Sequence, residues 1–519
     1  MSFNKWHLLS LIVERERKMD IREKIAQMLC FAFKGDSYNK QLKTLVEKIK
    51  VGGIVYFKHN INSNEQVLEL NNKLQEKSTT PLFICVDQEG GYVRRLTNIN
   101  HLPGAMVLTA AQTDKTYEMC LRTGKDLKSL GFNINFAPVG DVNNNPFNPV
   151  INARSYSDDF DVVNKYSKAA FKGFQDAGLI ATIKHFPGHG NTNVDSHLGL
   201  PRVGLSKDDV LKNEIIPFKQ AIDAGIDGVM MSHIIYSSFD SYPASLSKRV
   251  VRDLLIDKLG FKGLVTTDSL TMQAISKNYT IEEVVYSSVM AGCDMLVFCG
   301  QALLEDQINI YNVLVRLVEE GKIPFERIEE SYQKIMLLKE KYCTIVKNEI
   351  VIEDELVKEV SAKAVTLALN KLIPLDEKEK CLIISPKIKM ASLVDNDNLD
   401  NFRFSDYFHG EEIFIDKELN NFELVKQKIL DYDKTILITY NVSEADYQTK
   451  VYKELNKTKT IVISIRSPYD FIYLEGVENY LCLYEVSNYM LEACRNVLYG
   501  KNMAEGKLPV KIGGINENS

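Results

Sequence analysis

The sequence of 519 residues lacks the marks of several protein classes. No apolar run approaches the length of a membrane span, so no membrane-embedded role is expected. Basic charge is not in excess: 63 Lys and Arg stand against 69 Asp and Glu, a net charge of −6 with no block of like charge. A nucleic-acid binder would show a basic face. The 9 cysteines are odd in number, scattered and never in a C-x-x-C arrangement. That reads as reduced, mostly buried thiols rather than a disulfide framework. There is no low-complexity segment and no solenoid period. The N-terminus is also read as non-secretory. The short apolar run at 6–13 is broken at once by Glu14-Arg15-Glu16-Arg17-Lys18, and no small-residue cleavage site follows. The expectation is a cytoplasmic protein with an N-terminal extension over 1–18.

What is present is a large soluble core. Hydrophobic residues make up 45% and charged residues 25% of the chain, and the length calls for two or three domains. From 24 to 300 short apolar runs alternate with amphipathic stretches. The runs are 28–33, 53–57, 82–86, 132–138, 180–186, 228–234, 264–267 and 295–298. Helical patterns lie between them at 64–77, 116–130, 161–177, 213–224 and 281–291. Near-continuous apolar strands alternating with helices imply parallel strands buried on both faces. Eight such units predict a (β/α)8 barrel over 19–345. An open doubly wound sheet is the alternative, weakened because no G-x-G-x-x-G follows an early strand. Helical sequence follows at 301–343 and 353–369, with a linker placed over 346–375. A second α/β series, 381–385, 412–415, 435–439, 460–465 and 481–484, predicts a smaller α/β sandwich-type domain over 376–519 with no evident catalytic part.

The polar residues at the ends of the barrel runs carry the information. Asp87 ends the third run, Lys184 and His185 the fifth, His233 the sixth and Asp268 the seventh. Strand ends in a barrel converge on one mouth. The loop after the fifth run, I-K-H-F-P-G-H-G-N-T-N-V-D-S-H-L-G-L-P, holds His185, His189 and His197, with Asp195 two positions before the last. A carboxylate beside an imidazole fixes its tautomer and suits it to proton transfer near neutral pH. The same spacing is also that of a surface loop with one exposed histidine. A metal site from His185, His189, Asp195 and His197 is disfavoured, because neither H-E-x-x-H nor H-x-H is present. Asp268 lies among Thr266, Thr267 and Ser269, with little bulk to block an approach to it. It reads either as a nucleophile or as the cap of the helix that follows. Arg95, Arg154 and Lys184 would give the mouth donors for an oxygen-rich ligand, or are surface cations. Glu89 is the competing carboxylate, but Gly90-Gly91 after it makes it read as part of a tight turn.

These motifs together resemble glycoside hydrolase family 3, and within it the β-N-acetylglucosaminidases. They are V-D-Q-E-G-G at 86–91, F-A-P-V-G-D-V at 136–142, N-A-R-S-Y at 152–156, K-H-F-P-G-H-G at 184–190, D-S-H at 195–197 and T-D-S-L-T-M at 267–272. R-I-E-E-S at 327–331 and G-K-L-P-V at 506–510 are similar to later family elements. The resemblance implies Asp268 as nucleophile, His197 as general acid/base and Asp195 as its partner. It implies Asp87, Arg95, Arg154, Lys184 and His185 as sugar-binding residues. The reaction implied is retaining hydrolysis of terminal β-linked N-acetylglucosamine through a covalent glycosyl-enzyme. The substrates implied are cell-wall muropeptides, as in peptidoglycan recycling, or chitin oligosaccharides. No cofactor and no metal are implied, and the partner is a small carbohydrate rather than nucleic acid or membrane. Three rivals stay open: a family β-glucosidase or β-xylosidase, a phosphorylase, and a non-catalytic sugar-binding protein.

Overall fold

The structure is a computed structural model that describes residues 20–513 apart from 301–302, 345, 347–348, 370–371, 373, 377 and 389–401. The extension expected over 1–18 lies outside the described residues.

Eight parallel strands form the first sheet: β1 (Leu29–Ala32), β2 (Gly53–Tyr56), β3 (Phe83–Val86), β4 (Ile134–Asn135), β5 (Ile180–Phe186), β6 (Gly228–Met231), β7 (Leu264–Thr267) and β8 (Leu296–Phe298). Each neighbours the next in sequence, and β1 pairs with β8. A parallel bridge between Thr266 and Met295 brings β7 to β8 and completes the ring. Every strand residue is buried. Side chains of a barrel strand face either the packed interior or the helical layer, so no position is left for water. This explains the unbroken apolar runs. The fourth run was expected to span 132–138, but regular pairing stops at Asn135. Pro138 has no N–H to donate, so the continuation is reduced to a lone bridge between Val139 and Lys184.

The outer layer follows from caps and apolar stripes. Helix α1 (Asn64–Lys77) starts where Ser63 Oγ accepts the Gln66 N–H. Helices α2 (Thr116–Ser129) and α3 (Phe160–Asp176) pack side by side. Asp159 caps α3, and Val163, Tyr166, Ala170, Phe171 and Phe174 recur at helical spacing on its buried face. Each large apolar side chain so buried contributes about 2–3 kcal/mol. Helix α4 (Ile216–Asp223) leads to β6. Helix α5 (Ile281–Ala291) opens with a reciprocal Thr280–Glu283 capping box. Helices α6 (Leu304–Glu319) and α7 (Phe325–Tyr342) finish the barrel. None of the helices among the described residues is long and apolar enough to cross a membrane.

The C-terminal domain is a six-stranded sheet of β9 (Thr366–Leu367), β10 (Cys381–Pro386), β11 (Glu411–Ile415), β12 (Lys434–Thr439), β13 (Thr460–Ser464) and β14 (Tyr480–Cys482), in the order β9-β14-β13-β12-β10-β11. All pairs are parallel except β9 with β14. The 353–369 stretch, expected to be helical throughout, forms helix α8 (Glu355–Ala364) and then turns into β9. Thr366 is β-branched, and at the sheet edge it and Leu367 pair with Cys482 and Leu481. Helix α9 (Asn488–Leu498) packs on α8.

Candidate active site

The carboxyl ends of the barrel strands surround a cavity of about 520 Å³, large enough for a sugar ring and its substituents. Asp87 follows β3, Lys184 and His185 end β5, and Asp268 follows β7; all four line the cavity. Arg95, Arg154 and His197 reach the same space from loops. Asp195 stands behind His197, and the rest of the wall mixes apolar side chains, including Phe57, Phe136 and Met230, with the polar Ser269, Thr271 and Gln273.

One wall is a network of buried charge. Lys184 Nζ lies 2.6 Å from Asp87 Oδ1 and 2.5 Å from Glu89 Oε1. Arg154 grips Glu89 with two parallel bonds, Nε to Oε2 at 2.9 Å and Nη2 to Oε1 at 2.7 Å. Arg95 Nη2 is 3.8 Å from Asp87 Oδ2, and its guanidinium lies 5.4 Å from the centre of the Phe57 ring. The side chains of Arg95, Arg154, Lys184 and Glu89 are each 6% exposed or less. Burial pushes the Glu89 carboxyl up, but Arg154 and Lys184 outweigh it and hold the group well below the usual carboxylate range. Burial alone would lower the Lys184 ammonium; Asp87 and Glu89 reverse this and raise it. Glu89 thus corrects the sequence reading. Gly90 and Gly91 do make the turn, with Gly90 at φ +102°, but the carboxylate beside them is the keystone of the cationic wall.

A second network hangs on Asp141, which the sequence reading did not single out. Its Oδ1 accepts the N–H groups of His185 at 3.0 Å and His189 at 2.7 Å, and its Oδ2 takes His185 Nδ1 at 2.6 Å. That bond commits Nδ1 as donor and leaves Nε2 as the nitrogen available to the cavity. Burial pushes Asp141 up, and the His185 contact outweighs it, so the carboxyl stays below its ordinary range. The loop then closes on itself. Gly190 packs so tightly that a Cβ there would stand 1.5 Å from the Val142 carbonyl oxygen. His189 receives Ser196 Oγ at Nε2 (3.0 Å) and bonds Thr192 Oγ1 through Nδ1 (2.9 Å). Burial lowers the His189 imidazole to about 4, so it serves as a neutral strut. The four residues of the metal reading therefore do not converge: His189 turns to Thr192 and Ser196, and Asp195 turns to His197.

His197 is the ring this loop presents. Its Nδ1 is 2.7 Å from Asp195 Oδ1, which also accepts the His197 N–H at 2.8 Å. Asp195 is 7% exposed and His197 17%. The dyad loop is pinned to the Asp268 side by a bond from Ala274 N–H to the Ser196 carbonyl.

Asp268 is half-buried, its Oδ1 accepting the Ser269 N–H at 2.7 Å. It is not the cap of the next helix, Gln273–Ser276, whose N-cap position is Met272. Burial pushes the Asp268 carboxyl up, whereas the imidazoles of His185, His233 and His197 and the Ser269 N–H pull it down and prevail. His233 is itself pushed down by burial, so its charge acts only under acid conditions; the N–H bond acts at every pH. His233 links Ser245 Oγ (2.8 Å) to the Ser269 carbonyl (2.9 Å) and so braces the residue next to Asp268.

A half-buried carboxylate and an aspartate-backed imidazole share one sugar-sized cavity at the mouth of a (β/α)8 barrel, which is the apparatus of a glycoside hydrolase. The chain belongs to glycosyl hydrolase family 3: that family's N-terminal domain matches residues 20–338. Over 329 residues it is 35% identical to beta-hexosaminidase A of Pseudoalteromonas piscicida, covering 58% of this chain and 55% of that protein. The chain thus spans about half the length of that relative. A beta-hexosaminidase of Stenotrophomonas maltophilia is 32% identical over 290 residues, 54% of this chain and 86% of that protein. Among solved structures, a family 3 β-N-acetylglucosaminidase from Paenibacillus sp. FPU-7 superposes with a TM-score of 0.89 at 32% identity, covering 95% of this chain and 99% of that one.

Proposed function

We propose that the chain is a retaining exo-β-N-acetylglucosaminidase. The observation that carries this reading is the Asp195–His197 pair opening onto the same cavity as Asp268. Asp268 attacks C1 of the sugar while His197 Nε2–H protonates the glycosidic oxygen, so the C1–O bond breaks and a glycosyl ester forms. Nε2, now bare, takes a proton from water; the hydroxide oxygen bonds to C1 and the Asp268 carboxylate leaves. Asp195 holds the imidazole through Nδ1 in both steps and stabilises its charged form. Asp87, Arg95, Arg154, Lys184 and His185 bind the sugar hydroxyls. No step calls for a metal or cofactor. The substrates are terminal β-linked N-acetylglucosamine units of muropeptides or chitin oligosaccharides, in keeping with the names of the similar proteins.

The deciding experiment compares 4-nitrophenyl β-glycosides of N-acetylglucosamine and glucose in phosphate-free buffer. Strong preference for the N-acetyl sugar is expected. Preference for glucose would overturn the branch while keeping Asp268. Release only after phosphate is added, with sugar 1-phosphate as product, would assign phosphorolysis. Sugar binding without release under either condition would mark a non-catalytic protein.

A further inference from the structure

The charged wall of the cavity is held from outside the barrel. Glu89 and Arg95 belong to one excursion after β3, where Gln88–Gly90 and Val93–Arg94 pair as an antiparallel hairpin. Tyr92, at its tip, is 8% exposed and docked in the C-terminal domain. Its Oη donates to the Ile465 carbonyl at 2.7 Å, and the Arg466 guanidinium lies 4.5 Å from its ring centre. The return segment is fixed by Glu485, a residue of the C-terminal domain that is 1% exposed. Glu485 Oε2 accepts the Gly104 N–H at 2.6 Å, and Oε1 lies 3.1 Å from His101 Nε2. Arg94 Nη1 stands 2.9 Å from His101 Nδ1. A guanidinium only donates, so Nδ1 accepts and Nε2–H points at Glu485.

The loop that carries Arg154 is gripped as well. Asn152 Nδ2 donates to Ser467 Oγ at 3.0 Å, and Ser157 Oγ donates to the Pro509 carbonyl at 2.5 Å. The two gripped loops meet at the double bond between Arg154 and Glu89.

A buried carboxylate is costly unless its bonds are satisfied, and directional bonds fix position where apolar contact only adheres. Both carboxylate oxygens of Glu485 bond to the barrel segment that returns from the hairpin, at His101 and Gly104. A Cβ on Gly91 would already stand 3.4 Å from Glu485 Oε2, so hairpin and carboxylate are closely fitted.

We propose that Glu485 is a positioning residue: through Gly104 and His101 it sets the hairpin that presents Glu89 and Arg95, so the C-terminal domain governs sugar affinity. This rests on the reading of the cavity as a glycosidase site.

The test uses Glu485→Ala, Glu485→Gln and Tyr92→Phe in the full chain. It reads KM and kcat on the β-glycoside that the wild type cleaves best, and hydrogen exchange of the amides of 88–104. KM is expected to rise about tenfold in Glu485→Ala. The pH limbs set by the dyad should not move, and hairpin exchange should quicken. Glu485→Gln should recover part of the affinity, because its carbonyl still accepts from Gly104. Should Glu485→Ala fail to fold, Tyr92→Phe carries the test by removing the bond to Ile465. Unchanged KM with unchanged exchange overturns the proposal, as does a smaller active fraction at unchanged KM. A wild type that releases no N-acetylglucosamine overturns the functional reading instead, and the exchange measurement still decides the role of Glu485.

Discussion

His197 Nδ1 lies 2.7 Å from Asp195 Oδ1, and the backbone N–H of His197 reaches the same oxygen. Asp195 therefore orients the ring and holds its proton on Nδ1. Asp195→Asn should lower kcat by about 10²–10⁴-fold, the range of a general acid–base contribution. Steady-state kinetics check this, and a kcat within tenfold of the wild type would argue against the pair.

His197→Ala separates the two halves of the reaction. Substrates whose leaving groups need no protonation, such as dinitrophenyl glycosides, should lose far less rate in glycosylation than alkyl glycosides. A plot of rate against leaving-group pKa checks this, and parallel losses would remove His197 from the acid role.

Asp268→Asn should abolish turnover while the thermal unfolding midpoint stays near that of the wild type. Asp268 accepts one backbone bond from Ser269 and caps no helix, so its loss leaves the scaffold intact. Activity within tenfold of the wild type would dismiss it as nucleophile.

Glu89→Ala should destabilise the protein by about 3–5 kcal/mol, because Arg154 would lose its two carboxylate bonds and Lys184 one of its two carboxylate partners while both cations stay buried. Denaturant unfolding reads this directly. A loss under 1 kcal/mol would mean that water or Asp87 replaces the missing charge.

Glu214 offers a pH test away from the chemistry. Burial raises its carboxyl to about 7; Asn144 Nδ2 bonds one oxygen at 2.6 Å. The folded state holds this proton more tightly than the unfolded chain, whose carboxyl titrates near 4.3. Its contribution is therefore full below that value and is lost as pH rises through 7. Wild-type stability should fall from pH 5 to 8 by up to about 3 kcal/mol on this account. Glu214→Gln should flatten that slope; an equal slope in the variant would refute the assignment.

Much of the barrel was legible because its code is local. Buried parallel strands must be apolar, and a charged residue at the end of one stands out, as Asp87, Lys184, His185 and Asp268 did. The motif resemblance then supplied roles for Asp195 and His197 that spacing alone left open. Asp141 escaped because it lies in a loop with no period, 44 residues from the imidazole it holds. Glu89 was misread because its two glycines gave a sufficient local explanation, while its partners Arg154 and Lys184 are distant in sequence. The surplus of cations it answers, Arg95, Arg154 and Lys184 against Asp87 alone, was the available clue. Glu485 had no such clue; 381 residues separate it from the Gly104 amide it receives.

That separation has a consequence for how the protein is made. Residues 87 to 268 supply every group that lines the charged and reactive parts of the cavity, yet the bonds that secure the hairpin and the Arg154 loop come from 465 to 509. A ribosome releases the barrel sequence first, so a nascent chain carries the reactive side chains before it carries their restraint. Competence arrives only once 465 to 509 has emerged, and a chain truncated before it would hold the right residues without the order that makes them a site.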